Sequence, residues 1–242
     1  MNKNSDNEAM FIEKDLFSII IPEFNQKEMI ETVIDSVYAS TYKNIEVIAV
    51  NDGSTDDSGR VLDSLREKFP NLKVVHKANE GKRKDVSSGF QQSIGKFIIL
   101  IDSDSIIDRN AIEEFAKVFK SDPTIGAVAG QAKIFNANEN TITKCQDSWY
   151  DYEYNIYKAY ESYFGTVTCC SGCLAGYRSE AIENVLINWS NNEEKVGLYG
   201  LNTLSSHLER IKSISKIRTI LLDKIYNIRF ILLNSLLSYD DS

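Results

Sequence analysis

The chain has 242 residues, of which 43% are hydrophobic and 26% charged, and its formal net charge at pH 7 is −8. This length is enough for one well-buried α/β domain or, at most, two small ones, and the composition is ordinary for a globular protein. The acidic balance argues against a nucleic-acid partner, because binding to phosphates needs a basic face. No apolar run approaches the length of a membrane-spanning helix, and the first residues lack the apolar core of a signal peptide, so we expect a cytoplasmic chain.

Apolar and amphipathic segments alternate along the first half of the chain, after a polar stretch at 1–15 that we expect to be loose. Strands alternating with helices at this spacing indicate βαβ units and a mainly parallel sheet. The predicted strands lie at 17–21, 45–50 and 73–77, and the predicted helices at 26–38, at 61–69 and after 79–84 as far as residue 94.

A further strand is predicted at 97–101, where apolar residues run into the acidic sequence Asp-Ser-Asp-Ser. Such a run is typical of a buried central strand. Asp102 and Asp104 lie two residues apart, so in extended chain both carboxylates point to the same side. They could therefore reach one divalent cation, whose other ligands would be waters and substrate phosphates. The alternative is a strand end that carries solvated acids.

Polar segments also follow the other predicted strands, at 22–25, 51–54 and 79–84. Ligands of open parallel sheets bind outside the carboxyl ends of the strands, so these segments are expected to converge with 102–105. Asp52 could accept a hydrogen bond from a base or ribose, or could only close an Asx-turn.

The basic run at 82–84 could bind a diphosphate or could be a solvated surface. The sequence lacks the Gly-x-Gly-x-x-Gly pattern of dinucleotide sites after its first predicted strand. It also lacks the Gly-Lys-Ser/Thr pattern of phosphate loops. A nucleoside diphosphate bound with a metal is the interpretation that these patterns leave.

In the second half, Asp108 is predicted to cap the N-terminus of a helix over 111–119. Residues 125–135 indicate another strand. The aromatic-rich residues 142–164 indicate one helix, whose rings either pack in the core or form a stacking surface for a sugar ring.

Residues 166–178 are predicted to start as a strand and to turn through Gly172, before a helix from about Ser179. The apolar but interrupted residues 211–237 indicate one or two amphipathic helices rather than a membrane span.

Three of the four cysteines, Cys169, Cys170 and Cys173, lie close together in sequence, whereas Cys145 stands apart. A zinc site would need a fourth ligand, and the two histidines lie in unrelated contexts. We therefore expect reduced, buried structural thiols. The histidines also lack a nucleophile elbow, which argues against a Ser-His-Asp triad.

Taken together, the motifs resemble those of family 2 glycosyltransferases with the GT-A fold, specifically the hyaluronan, chitin and chitooligosaccharide synthase branch. The resemblance covers residues 16–187. Its motifs are IIIPEFNQKE at 19–28, VNDGSTDDS at 50–58, NEGKRKD at 79–85, LIDSDS at 100–105, and WYDYEYN…YFGTVTCCSGCLAGYR from 149 to 178. The last of these is the most specific.

This resemblance implies a three-layer, Rossmann-like α/β domain with a mainly parallel central sheet. It implies transfer of a sugar, N-acetylglucosamine or a related one, from a UDP-sugar donor to a saccharide acceptor, with Mn²⁺ or Mg²⁺ as the cofactor. Because the family is membrane-embedded, it also implies a position at the inner face of the cell membrane.

The resemblance further implies a role for each matching residue. Those that would line the uridine pocket or bind the uracil ring are Pro22, Glu23, Asn25 and Asp52. Those that would contact the nucleotide and its diphosphate are Lys82 and Arg83. Asp102 would face the ribose or a metal-bound water, and Asp104 would ligate the metal. Those that would lie near the acceptor sugar are Ser171, Gly172 and Cys173, the last in place of a proline common in the family.

The sequence departs from the family pattern after the acceptor segment. The family places an acidic catalytic base in a Gly-Glu/Asp-Asp-Arg motif, but here YGLN stands at 199–202 and the base cannot be assigned. The Gln-x-x-Arg-Trp motif and the membrane helices of the family are also missing from the sequence. We therefore expect a GT-A domain at 16–192 and an atypical helical segment at 193–242, from a truncated or frame-shifted reading of a longer gene.

Two other functions fit some of the same residues. A metal-dependent phosphatase or phosphotransferase would use Asp102 as nucleophile and Asp104 as acid–base, although that group carries the motif on its first strand. A non-catalytic nucleotide-sugar binding module would need no base. UDP-sugar binding without turnover would support the module, and phosphate release that stops in Asp102→Asn would support the phosphatase.

Overall fold

A computed structural model describes residues 15–165, 167–170, 172–191, 218–221 and 229–230. The helices are α1 Ile30–Tyr38, α2 Ser58–Lys68, α3 Lys82–Gln92, α4 Ala111–Ser121, α5 Thr141–Tyr152, a π-helix Glu153–Lys158, α6 Ala159–Tyr163 and α7 Ser179–Asn191. The strands are β1 Phe17–Glu23, β2 Ile45–Asn51, β3 Leu72–His76, β4 Phe97–Ile101, β5 Ser105–Ile106, β6 Ile125–Ala129, β7 Lys133–Ile134, β8 Leu174–Arg178, β9 Arg218–Leu221 and β10 Arg229–Phe230.

Seven of these strands form one sheet in the order β3-β2-β1-β4-β8-β6-β9. Strands β3, β2, β1 and β4 run parallel to one another, whereas β8 runs antiparallel to both β4 and β6. The predicted α/β class with a mainly parallel central sheet is therefore confirmed, and β4 is its middle strand. A second, three-stranded sheet has the order β5-β10-β7.

Both faces of the large sheet are covered by helices, which makes the domain three layers thick. Successive residues of β1 alternate between the two faces, as strand geometry requires. Ile19 and Ile21 belong to one core cluster, together with buried residues of α1, α2 and α4. Ile20 belongs to a second cluster, into which Phe90 of α3 and Ile182 of α7 pack.

Some predicted element boundaries are wrong. The helix after Asp108 begins at Ala111, as predicted, but Asp108 does not cap it. Instead, the Asp108 carboxylate accepts the backbone N–H of Asn110, which makes a turn ahead of the helix. The strand predicted at 125–135 is interrupted between β6 and β7. In 166–178 the strand comes last, at β8, and not first as predicted.

The predicted helix at 142–164 exists, but a π-helical segment lies in its middle. The helix predicted from about Ser179 is confirmed as α7. Six residues of the predicted helical segment at 193–242 are described, in β9 and β10, and all are extended. The rest of that segment lies outside the described residues. No helix that the structure describes is long and apolar enough to cross a membrane.

Candidate functional site

A pocket of about 420 Å³ opens at the carboxyl ends of β1, β2, β3 and β4. All four polar segments that the sequence placed at this edge contribute to its wall, so the expected convergence is observed. The lining residues are Pro22, Glu23, Phe24, Asp52, Asn79, Gly81, Lys82, Asp85, Asp102, Ser103 and Asp104. Neither Asn25 nor Arg83 is among them, and Arg83 is exposed.

Glu23 and Asn25 fix the rim of the pocket where β1 ends. The buried Glu23 carboxylate accepts the Gln26 N–H at 2.9 Å and the Ser54 hydroxyl at 2.9 Å. Asn25 has a φ of 54°, a conformation that Asn tolerates better than most residues. Its Oδ1 accepts the backbone N–H of Thr55 at 2.8 Å. These two predicted site residues therefore join the β1 turn to the turn after β2.

Asp52 lies at the end of β2 with only 2% of its surface exposed. Its Oδ1 accepts Lys77 Nζ at 2.9 Å and the Glu80 N–H at 2.8 Å, and its Oδ2 accepts the Gly81 N–H at 2.8 Å. Burial opposes ionisation of Asp52, but these hydrogen bonds outweigh it and lower the pKa of the carboxyl. Asp52 is therefore an ionised acceptor that also holds the loop before α3.

Asp85, in the first turn of α3, is a second buried carboxyl in the pocket wall. Its Oδ1 lies 3.1 Å from Lys77 Nζ, and burial raises the pKa of Asp85 to about 6. Neither Lys77 nor Asp85 was predicted from the sequence to belong to the site. The available signal was an acid one helical turn after a Gly-Lys sequence, which is equally typical of an ordinary helix N-terminus.

Lys82 and the two acids after β4 form the charged centre of the pocket. Lys82 Nζ lies 2.5 Å from Asp102 Oδ1. Asp104 is partly buried, and burial together with the nearby Asp102 carboxylate raises the pKa of Asp104. Proximity of the two carboxylates agrees with the spacing argument made from sequence.

The two acids after β4 are too few to hold a divalent cation alone, but enough to hold one together with a bound substrate. The described part of the chain holds no group of three or more His, Cys, Asp or Glu side chains that could bind a metal alone. Mg²⁺ and similar cations are commonly held by one or two carboxylates, with waters and substrate phosphates as the other ligands. Asp104 and Asp102 suit this shared mode of binding.

Gly172 and Cys173, from the segment predicted to lie near the acceptor sugar, are close to the charged centre of the pocket. A Cβ added at Gly172 would lie 3.3 Å from Lys82 Nζ and 3.5 Å from Asp102 Oδ1, so this backbone directly adjoins the charged centre. Cys173 is buried, and its Sγ lies 3.1 Å from the Tyr154 hydroxyl. Burial raises the pKa of Cys173 to about 11, so the group stays a thiol at neutral pH. Ser171 lies outside the described residues.

The aromatic helix is mostly exposed, which core packing does not explain. Tyr154 is buried, but Trp149, Tyr160 and Tyr163 are each more than half exposed. Tyr150 is partly buried, and its pKa is raised by burial and by Cys173, Asp104 and Asp102. Tyr150 therefore lies close to the charged centre, a position that the sequence analysis did not assign to it.

A buried lysine of the π-helix positions the backbone before the acceptor segment. Lys158 is 2% exposed, and its Nζ donates to the Cys169 carbonyl at 2.8 Å and contacts Glu153 Oε1 at 3.2 Å. Cys170 and Cys173 are buried as expected, whereas Cys169 is only partly buried and Cys145 is exposed.

Phe24 is a further pocket residue that was not assigned a role from the sequence. It lines the pocket with 44% of its surface exposed, so its side chain is accessible to a ligand. Any of the nucleobases can stack on an exposed aromatic side chain. The signal was an aromatic residue inside the polar segment 22–25, where a core role is not expected.

Comparison with known proteins agrees with this geometry. The family model "Glycosyl transferase family 2" matches residues 18–186. A hyaluronan synthase of Streptococcus pyogenes is 33% identical over 71% of this chain and 42% of its own length. A poly-beta-1,6-N-acetyl-D-glucosamine synthase of Staphylococcus aureus is 28% identical over 67% of this chain and 39% of its own length. The chain thus spans less than half the length of these curated relatives.

Two solved structures share the fold. A mannosyltransferase from Pyrobaculum calidifontis in complex with GDP-Man and Mn²⁺ has a TM-score of 0.67 at 20% identity, and covers 90% of this chain and 57% of its own. S. aureus TarS 1–349 in complex with UDP-GlcNAc has a TM-score of 0.67 at 19% identity, over 93% of this chain and 62% of its own. With the family model matching well over half of the residues, the chain belongs to glycosyl transferase family 2.

Proposed function

We propose that this chain carries the donor-binding half of a UDP-sugar-dependent glycosyltransferase, which transfers N-acetylglucosamine or a related sugar to a saccharide acceptor. The observation that carries the proposal is the convergence of Asp52, Lys82, Asp102 and Asp104 in one pocket at the end of the parallel strands. Relatives that make hyaluronan and poly-N-acetylglucosamine support this substrate class.

The nucleoside would occupy the side of the pocket formed by Phe24 and Asp52. Phe24 offers a ring for stacking. The carboxylate of Asp52 has room for about four hydrogen bonds. It accepts three, from Lys77, Glu80 and Gly81, and also interacts with the Asp85 carboxyl. An N–H of the base, which a uracil ring can supply, would take the place of that Asp85 contact.

The diphosphate would lie beside Lys82 and Gly172, with Asp104 and Asp102 on its other side. Lys82 can pair with phosphate oxygens once it leaves Asp102, and the backbone at Gly172 allows close approach. Asp104 would hold Mn²⁺ or Mg²⁺, with Asp102 reaching the cation through water. A cation bound there would neutralise the charge on the departing diphosphate.

The acceptor sugar would approach over Gly172, Cys173 and Tyr150, where the described residues border the charged centre. In an inverting transfer, an acceptor hydroxyl oxygen forms a bond to the anomeric carbon as the bond to UDP breaks, and a base takes the hydroxyl proton. We assign no base among the described residues. A nucleotide-sugar binding module without turnover is therefore the alternative within the same family.

Isothermal titration calorimetry tests the proposal. We expect UDP-N-acetylglucosamine to bind in the presence of Mn²⁺ and to bind much more weakly with a chelator. Asp104→Asn should abolish the metal-dependent part with little change in the thermal midpoint, since Asp104 serves the ligand rather than the core. Equal affinity with Mn²⁺ and chelator, or an unchanged metal dependence in Asp104→Asn, would contradict the proposal. GDP-mannose is the comparison that tests base selectivity.

A further inference from the structure

We propose that Lys77 is a positioning residue for nucleotide binding, because its ammonium group ties the base-binding carboxylate of Asp52 to the loop and helix that form the opposite wall of the pocket. This inference rests on the proposed function and adds to it a residue that does not itself line the pocket.

Lys77 follows β3 directly, and its side chain is 13% exposed. Its Nζ contacts three carboxylates, which come from three different parts of the fold. The distances are 2.9 Å to Asp52 Oδ1 after β2, 3.1 Å to Glu80 Oε2 in the loop, and 3.1 Å to Asp85 Oδ1 in α3. The ammonium group therefore joins a strand end, a loop and a helix N-terminus.

The loop held in this way has little internal structure to fix it. Gly81, just before α3, has a φ of 89°, a conformation that residues with a side chain rarely adopt. The backbone N–H groups of Glu80 and Gly81 are both bound by Asp52. Because Asn79, Gly81 and Lys82 line the pocket, any change in the position of the Asp52 carboxylate would move the pocket wall.

Removal of the ammonium group would have a specific electrostatic consequence. The Asp52 and Asp85 carboxylates, 3% and 4% exposed at their side chains, would face each other without a cation between them. Two carboxylates in such a site repel. Asp52 would also lose the ammonium group that orients its Oδ1, so the position of the acceptor that a nucleobase needs would change.

The test compares UDP affinity in Mn²⁺ for the unaltered chain, Lys77→Met and Lys77→Arg. We expect Lys77→Met to bind UDP about tenfold more weakly or worse, since hydrogen bonds to charged groups are among the stronger ones. Lys77→Arg keeps the charge and should restore much of the affinity.

The matched control is Lys73→Met. Lys73 lies near the amino end of the same strand and pairs with Glu46 at 2.8 Å, away from the pocket. This variant should bind UDP like the unaltered chain.

A second measurement reports on the loop without any ligand. Hydrogen exchange at the Glu80 and Gly81 amides should be faster in Lys77→Met than in the unaltered chain, and unchanged in Lys73→Met. Thermal midpoints show whether each variant is folded.

Equal UDP affinity in a folded Lys77→Met, or unchanged exchange at the two amides, would overturn the role of Lys77 while leaving the proposed function intact. Failure of the unaltered chain to bind UDP would instead overturn the proposed function, and this inference with it.

Discussion

The acid Asp85 shows how strongly a single residue depends on its neighbours in this pocket. It is 3% exposed, and it faces Lys77, which follows β3, and Asp52, which follows β2. Glu80 also contacts the lysine. Burial raises the pKa of Asp85 to about 6 in spite of the lysine. The folded protein therefore binds this proton more tightly than the unfolded chain does.

This pKa predicts a particular pH dependence of stability. Between about pH 4 and pH 6 the folded state holds more protons at Asp85 than the unfolded state, so stability from this group is lost as the pH rises. Between about pH 4 and pH 6, the free energy of unfolding of Asp85→Asn should therefore rise by roughly 1–3 kcal/mol relative to that of the unaltered chain. Urea unfolding across the interval measures the difference.

The exposed acid Glu67 of α2 provides the control, as Glu67→Gln. If the difference in unfolding free energy between Asp85→Asn and the unaltered chain stays constant with pH, Asp85 does not titrate in this way.

Among single residues, those that lie in a short motif after a predicted strand were predicted from the sequence. Asp102 and Asp104 follow an apolar strand, and Asp52 and Lys82 follow similar segments, so convergence at the sheet edge brings them together. Phe24, Lys77 and Asp85 were not predicted. The roles of Lys77 and Asp85 arise from contacts with Asp52, which is far from both in sequence, and residue spacing does not encode such contacts. Phe24 belongs to no motif of its own.

At the scale of elements, the close packing of β8 against α4 depends on a glycine. A Cβ added at Gly176 would lie 2.5 Å from Phe115 Cδ1 and 2.7 Å from its Cε1. Both residues belong to buried parts of the fold, where added volume forces neighbours to shift. This packing holds the strand that follows the acceptor segment directly against the central strand β4.

Gly176→Ala should therefore lower the free energy of unfolding by about 1–3 kcal/mol, as overpacking of a core usually does. Phe115→Leu should offset part of that loss in the double variant, because it makes room beside the new methyl group. Urea unfolding of the two single variants and the double variant gives the coupling energy. Strictly additive losses would contradict the predicted clash.

Most elements were predicted because hydrophobic periodicity is strong in a sheet buried on both faces. The strand at 97–101 and the helix from Ser179 match β4 and the start of α7. The π-helix Glu153–Lys158 was not predicted, because residues 142–164 carry no local pattern that distinguishes it from the α-helix on either side. The strand in 166–178 was misplaced since its apolar residues lie on both sides of the cysteines.

At the scale of the whole molecule, βαβ alternation was enough to predict the fold class but not the strand order. The antiparallel β8 lies between β4 and β6 in the sheet. That insertion brings Gly172 beside Lys82 and Asp102, so the acceptor segment meets the donor pocket only through the tertiary fold. The domain boundary near residue 192 remains a prediction.

The most direct test of the account is a crystal structure of the chain with UDP and Mn²⁺, in which anomalous scattering locates the metal. The account predicts Mn²⁺ bound to the Asp104 carboxylate and to the diphosphate, with the diphosphate beside Lys82 and Gly172 and the base between Phe24 and Asp52. UDP bound elsewhere on the molecule, or Mn²⁺ bound to the diphosphate away from Asp104, would contradict it.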